Sequence, residues 1–224
     1  MALPILVDYE IKLEQVIQDE EVELDDATRQ ALIAEAVKTY SSYRPQEIAL
    51  RVTGDGGYTY DLPEDWEEGF SSILSIEYPA GEQIPVILDP ATYGIYRDDT
   101  GLKLRFLLHT PEATEEFILT YSIRHSIEVD LGTIPEVDFD AVVNLAGSLG
   151  CTAIGRKYAQ DAGGATIAVG SETWRSVIRY SEKAKELMDL FLTHMGVNRE
   201  VAPALVTVNL PSLASWGGSR LKRF

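Results

Sequence analysis

The sequence has 224 residues and a formal net charge of −17 at pH 7, from 36 acidic and 19 basic residues. So acidic a chain is poorly suited to gripping nucleic acid by its phosphates, and a hydrophobic content of 45% argues against disorder throughout. A single cysteine, Cys151, excludes an internal disulfide and a cysteine-based zinc site. No apolar run approaches the roughly 20 residues of a membrane helix, and no basic stretch opens the chain. We therefore expect a soluble protein of a reducing compartment, without a secretory signal.

Residues 1–26 form an acidic N-terminal segment whose pattern leaves its secondary structure open. Alternation of apolar and polar residues from Val7 to Leu13 favours a strand, whereas the spacing of Leu13, Val16 and Ile17 favours a helix. The acids that follow predict a solvated segment leading into a helix.

A helix is predicted from about residue 27 to Ser42. Asp25 or Asp26 can cap its N-terminus, and Pro45 stops it. The apolar residues of one face are Leu32, Ile33, Ala36, Val37 and Tyr40.

The apolar period then changes from 3.6 to 2, which predicts a β module over residues 46–134. The glycine-rich turn at 54–57 predicts a hairpin that returns through residues 58–63, and the turn at 98–101 predicts another. Further strands are predicted at residues 73–78, 84–88, 94–97, 102–108 and 116–122. These short strands favour a mostly antiparallel module of meander type.

Helical periodicity returns after Pro135 and predicts two long helices, separated near Gly163 and Gly164. The second helix is expected from Ser171, as N-cap, to Gly196. In the first, small residues that would let a neighbouring helix approach closely are Gly147, Ser148, Gly150, Ala153 and Gly155.

The predicted fold class is α+β: a short α-helical bundle with an inserted antiparallel β module and an extended C-terminal arm. The bundle comprises residues 27–45 and 135–196, the module 46–134 and the arm 197–224.

Residues that could carry out chemistry are sparse. The three histidines, His109, His125 and His194, lie far apart and show no metal-ligand spacing. Cys151 lies among small and apolar residues, which favours packing over reactivity. The turn at 54–57 joins two predicted strands and does not open a helix, so it is not a phosphate-binding loop. We expect no enzyme, no metal and no cofactor.

The last thirteen residues reverse the charge of the chain, because they contain no acid and three bases. Taken as a whole, the tail of residues 197–224 has no periodic apolar face and cannot fold by itself as a helix or a buried strand pair. Two interpretations stay open: a frayed terminus, or an arm that docks on a partner through apolar anchors with cations between them.

Several stretches together carry a resemblance to a known family. They are YSSYRP at 40–45, VTGDGGYTYDLP at 52–63, Trp66, Gly69, Phe70, residues 76–79 and 104–106, and the helix over 139–158. Over about residues 27–195 the chain resembles tailed-bacteriophage structural proteins, and among them the head-to-tail adaptor, also called the head completion or connector protein. These are hairpin and packing residues, so the resemblance carries no chemistry.

The resemblance implies a structural virion protein of the neck, made in the host cytoplasm. Such proteins form a ring, typically of twelve subunits, below the portal; the ring extends the DNA channel and provides the docking platform for the tail or for a downstream neck protein. DNA passes through without specific binding, and no membrane is involved. The expected portal-binding residues of the C-terminal arm are Trp216, Arg220, Leu221, Lys222, Arg223 and Phe224. The expected channel-lining acids are Asp19, Glu20, Glu21 and Glu23.

Three alternatives remain open. One is another neck or tail-completion ring of the same virion, which composition does not separate from the adaptor. A small baseplate hydrolase or glycan-binding module would need convergent acids or aromatic residues, and linear spacing supplies neither. The last is a monomeric cytoplasmic protein.

Overall fold

The computed structural model describes residues 3–18, 24–108, 110–129, 131–161 and 172–197. Within these ranges the chain contains four α-helices and two three-stranded antiparallel sheets, which confirms the predicted α+β class. The helices are α1 (Leu6–Ile17), α2 (Asp26–Tyr43), α3 (Phe139–Asp161) and α4 (Glu172–His194). The strands are β1 (Gln46–Thr53), β2 (Thr59–Asp61), β3 (Ile73–Glu77), β4 (Tyr93–Arg97), β5 (Leu102–Phe106) and β6 (Glu116–Ile123).

The N-terminal segment follows its helical pattern. Tyr9, Leu13 and Ile17 are buried at intervals of four residues, which places them on one face of α1. The strand alternative for these residues is therefore wrong. At the start of α2, the Asp25 side chain accepts a hydrogen bond from the Thr28 N–H at 2.7 Å, so Asp25 is the N-cap.

α3 is the central helix of the bundle and packs against α1, α2 and α4. A Cβ at Gly150 would stand 2.6 Å from Ile17 Cδ1, and one at Gly147 would stand 3.0 Å from Leu187 Cδ1. The helices therefore approach closely where the small residues predicted it. The predicted break at residues 163–164 and the Ser171 cap lie outside the described residues.

By length and composition alone, the stretch Glu136–Gln160 would be long and apolar enough to cross a membrane. However, 61% of its apolar 18-residue window is buried inside the protein. Burial of this kind is what the core helix of a bundle requires, so its composition is explained by packing.

The sheets pair β1-β6-β3 and β2-β5-β4, all antiparallel. β4 and β5 form the hairpin predicted at residues 98–101. The hairpin predicted through residues 54–57 is wrong, because β1 pairs with β6 along its whole length and β2 pairs with β5. The Gly54 N–H donates to the Glu115 carbonyl, which prolongs the β1–β6 pairing through the expected turn. The meander order is wrong for the same reason.

The predicted strand at residues 84–88 is also wrong as a full strand. It makes one isolated bridge, Ile87 to Glu77, beside β3. Between the two sheets lies a core rich in aromatic residues, where the ring of Tyr60 meets those of Phe106 and Phe117 at centroid distances of 5.6 and 5.1 Å. A second and larger core lies among the four helices.

Candidate functional site

The side chains predicted for portal binding and channel lining lie outside the described residues. This applies to Trp216, Arg220, Leu221, Lys222, Arg223 and Phe224, and to Asp19, Glu20, Glu21 and Glu23. Both sets therefore stay predictions.

Asp138 is the centre of a polar cluster that the sequence did not reveal. Its side chain is only 3% exposed, directly before α3. Oδ2 accepts a hydrogen bond from the Tyr40 hydroxyl at 2.6 Å. Oδ1 accepts one from Arg44 Nη1 and one from His194 Nε2, each at 2.6 Å. The cluster joins the ends of α2 and α4 to the beginning of α3.

Two opposing effects set the pKa of Asp138. Burial raises the pKa, but the hydrogen bonds from Tyr40, His194 and Arg44 outweigh burial and hold it below its usual value. The carboxylate is thus charged at neutral pH, and both of its oxygens accept hydrogen bonds from the protein. A carboxylate whose pKa is held below its usual value is a poor proton acceptor at neutral pH, so the cluster is suited to holding three helices together rather than to acid–base catalysis.

His125 lies beside this cluster, with its ring 5.2 Å from the ring of Tyr40. Nδ1 donates to the Thr133 carbonyl at 3.0 Å, and the backbone N–H donates to Ser41 Oγ at 3.0 Å. Burial lowers the pKa of His125, so the ring is neutral at physiological pH. Cys151 is fully buried in α3, as predicted for a packing residue. Within the described ranges no group of three or more His, Cys, Asp or Glu side chains is arranged to hold a metal ion.

The first of two exposed apolar surfaces, here called the α1 patch, lies on the helical part of the molecule. Its members are Leu3, Val7, Ile11, Val129, Leu131 and Val137. The Leu6 N–H donates to the Glu128 carbonyl, which holds the segment around residue 129 against the start of α1. Leu3 and Ile11 also line a hollow of about 400 Å³. The patch is therefore concave beside Leu3 and Ile11, where Asp8, Glu136 and Phe139 also line the hollow.

The second surface, here called the β patch, lies on the sheet part. Its members are Ile84, Val86, Ile87, Leu107 and Leu108. Ile84 is 80% exposed and Leu108 is 77% exposed. Leu88, next to Ile87, and Phe106, next to Leu107, belong to the same buried core, which brings the two parts of the patch near each other. Exposed apolar residues grouped in this way are typical of interaction surfaces.

Neither patch was found from the sequence. The sequence predicts that residues 84–87 belong to a strand, and it leaves the secondary structure of α1 open. Their exposure depends on which neighbours cover them in the fold, and a linear pattern does not contain that information. The one available signal was the unusual run Ile84-Pro85-Val86-Ile87-Leu88, too apolar for an ordinary surface loop.

No protein-family model and no curated protein matches the sequence. Among solved structures, the chain is similar to a chain in the neck of an empty GTA particle, computed with C6 symmetry. The likeness covers 80% of this chain and 89% of that chain, at 14% identity and a TM-score of 0.27. A likeness at this identity and TM-score is too distant to carry an argument about role.

Proposed function

We propose that the chain is a structural subunit of the neck of a phage-like virion, namely the head-to-tail adaptor. In this role it forms a ring below the portal, extends the DNA channel and provides the platform on which the tail docks. The resemblance over residues 27–195 supports this proposal. The order of helices, β insertion and helices along the chain agrees with it.

The observation that carries the proposal is the presence of two different apolar patches on one subunit. A ring needs heterologous contacts, in which one face of each subunit meets a different face of the next. The α1 patch lies on the helical part and is concave, whereas the β patch lies on the sheet part and projects Ile84. Contact between the α1 patch of one copy and the β patch of the next would bury both.

The overall charge suits a channel protein. At −17, the chain repels the DNA phosphates, so a duplex would pass without adhering. Asp19, Glu20, Glu21 and Glu23 are the proposed lining. Replacing these four acids with Lys is expected to slow or trap DNA during ejection, and unchanged ejection would contradict the lining role.

The basic C-terminal arm is the proposed portal anchor. Trp216, Leu221 and Phe224 would fill apolar pockets, and Arg220, Lys222 and Arg223 would pair with acids on the portal. Other neck or tail-completion rings could use the same two patches, so binding to the portal is the property that separates the adaptor from them.

Complementary variants test the heterologous contact. One variant carries Val7→Asp and Ile11→Asp in the α1 patch; the other carries Ile84→Asp and Ile87→Asp in the β patch. Each alone is expected to stay monomeric in sedimentation velocity at concentrations where the unchanged chain assembles. Mixed together they should form a 1:1 pair and nothing larger, because each retains one intact patch.

A matched control is Leu190→Asp, which places an acid at an apolar residue on α4 that is 50% exposed and lies outside both patches. This variant should assemble like the unchanged chain. Full assembly of either patch variant, or a mixture that forms no pair, would contradict the proposal. So would an unchanged chain that stays monomeric both alone and with the portal ring.

A further inference from the structure

β1 lies at one end of the sheet β1-β6-β3, and no strand among the described residues pairs with its outer edge. The direction of its backbone groups follows from two hydrogen bonds. The Ser122 N–H donates to Ser72, on the β3 side of β6, and the Gly54 N–H donates to Glu115, on the β1 side. Because backbone groups alternate along antiparallel strands, those of Ile48, Leu50 and Val52 face β6, and those of Glu47, Ala49 and Arg51 face away from it.

Within the described ranges, the outward backbone groups of β1 have no hydrogen-bond partner. The other end of this sheet is different, since the Tyr78 N–H and the Ile76 carbonyl next to β3 bond to Val86 and Leu88. β1 pairs over eight residues without a register shift and contains no proline. An edge this long usually carries a bulge, a proline or a cover, because otherwise it pairs with another strand.

The exposure of Leu50 also indicates that, among the described residues, the sheet lacks a neighbour on this side of β1. The Leu50 side chain lies on the core face of the sheet, between the partly buried Ile48 and Val52, yet it is 39% exposed. An added strand with apolar residues on that face would cover it.

α4 ends close to the beginning of β1. His194, at the end of α4, and Arg44, two residues before β1, bind the same oxygen of Asp138. The rings of Phe191 and Tyr43 meet at 5.5 Å. The end of α4 therefore lies close to Gln46, where β1 begins.

A segment with the sequence pattern of a strand comes soon afterwards. Residues 204–210 read Ala-Leu-Val-Thr-Val-Asn-Leu, carry no charge and are bounded by Pro203 and Pro211. Val206, Val208 and Leu210 alternate with Thr207 and Asn209, the pattern of a half-buried strand. With seven residues, the segment nearly matches the eight residues of β1.

We propose that residues 204–210 add to the outer edge of β1 in the same chain, as a fourth strand of the sheet. Residues 198–203 span at most about 20 Å when extended, which suits a start near Gln46 and a course parallel to β1. Val206, Val208 and Leu210 would extend the core face and cover Leu50. Because a short linker tethers the segment to β1 of the same chain, its effective concentration there is in the millimolar range. This favours pairing with its own β1 over pairing with a neighbouring copy.

This inference does not depend on the adaptor role. If both hold, the added strand fixes the point from which the last thirteen residues project towards a partner.

Residue-resolved amide hydrogen exchange tests the proposal, with the full chain compared with a chain that ends at Pro203. The amides of Glu47, Ala49 and Arg51 are expected to exchange at least about tenfold more slowly in the full chain. The amides of Ile48, Leu50 and Val52 face β6 and serve as internal controls, with equal protection in both chains. Equal exchange of the outward amides in the two chains would overturn the proposal.

Two proline variants and a proline control make the test specific. Val206→Pro and Thr207→Pro each remove an N–H at neighbouring positions, and only one of these faces β1 in an added strand. One of the two should therefore abolish the protection, whereas Ser215→Pro should leave it intact. Protection that survives both prolines, or that disappears on dilution of the full chain, would overturn pairing with the chain's own β1.

Discussion

Arg44 and His194 bind the same carboxylate oxygen, Oδ1 of Asp138, each at 2.6 Å. Arg44 comes directly after α2, and His194 is the last residue of α4. Asp138 therefore connects the residues between α2 and β1 with the end of α4. The position of β1 relative to the end of α4 therefore depends on this one buried acid.

Replacing Asp138 with Asn should destabilise the protein markedly. The variant keeps the size of the side chain but removes the charge that Arg44 and His194 bind, and loss of one member of a buried charged cluster typically costs about 3 kcal/mol. Urea unfolding followed by circular dichroism measures the change. Asp99→Asn, the same substitution in an exposed turn, should leave the free energy of unfolding nearly unchanged. Equal stabilities of the two variants would show that the cluster contributes little.

His125 should make stability depend on pH. Burial lowers the pKa of the ring in the folded state, so below about pH 6.5 the unfolded chain takes up a proton that the folded chain does not. The free energy of unfolding should therefore fall as the pH drops from about 7.5 to about 5. In His125→Gln, which does not titrate, it should fall less over the same range. Parallel pH profiles for the two proteins would contradict the assignment.

Replacing Gly150 and Gly155 of α3 with alanine should change the stability of the protein in opposite directions. At Gly150 the added Cβ would stand 2.6 Å from Ile17 Cδ1 and 3.3 Å from Leu24 Cδ1, so overpacking should cost about 1 kcal/mol net of the gain in helix propensity. At Gly155 the nearest atom is 3.7 Å away, and alanine should stabilise the helix by about 0.5 kcal/mol. Thermal unfolding of both variants measures the signs. Stabilisation by Gly150→Ala would indicate looser packing between α1 and α3.

Assembly through the two patches should strengthen with salt. Asp8 and Glu136 border the hollow of the α1 patch, and Glu82 and Asp89 flank the segment of the β patch, so acids approach acids when the patches meet. Salt screens this repulsion and leaves the apolar contact in place. The average mass in sedimentation should rise between about 20 mM and about 500 mM sodium chloride. A fall over this range would indicate a contact made by salt bridges instead.

The helices could be predicted from the sequence because their signals are local. Asp25 caps α2, and the glycines of α3 mark where α1 packs. The partner of β1 could not be predicted, because β6 lies more than sixty residues away and the nearby turn at Gly54 suggested a hairpin. Loop closure over such distances depends on the whole sheet and leaves no local pattern.

The surfaces were harder still to predict. Asp138 is one acid among 36, and only its partners from two distant segments, the ends of α2 and α4, distinguish it. The apolar members of the two patches look like core residues until the fold leaves them uncovered. Conversely, the tail residues were singled out by composition alone, and their role stays a prediction.

The adaptor role is tested most directly by mixing the purified chain with its portal ring and imaging the product by electron microscopy. A chain that ends at Pro211 is imaged in parallel. We expect a ring capping the portal with the full chain and none with the shortened one. A ring with both chains would keep the adaptor role and reject Trp216, Phe224 and their basic neighbours as the anchor. No ring with either chain would contradict the adaptor role itself.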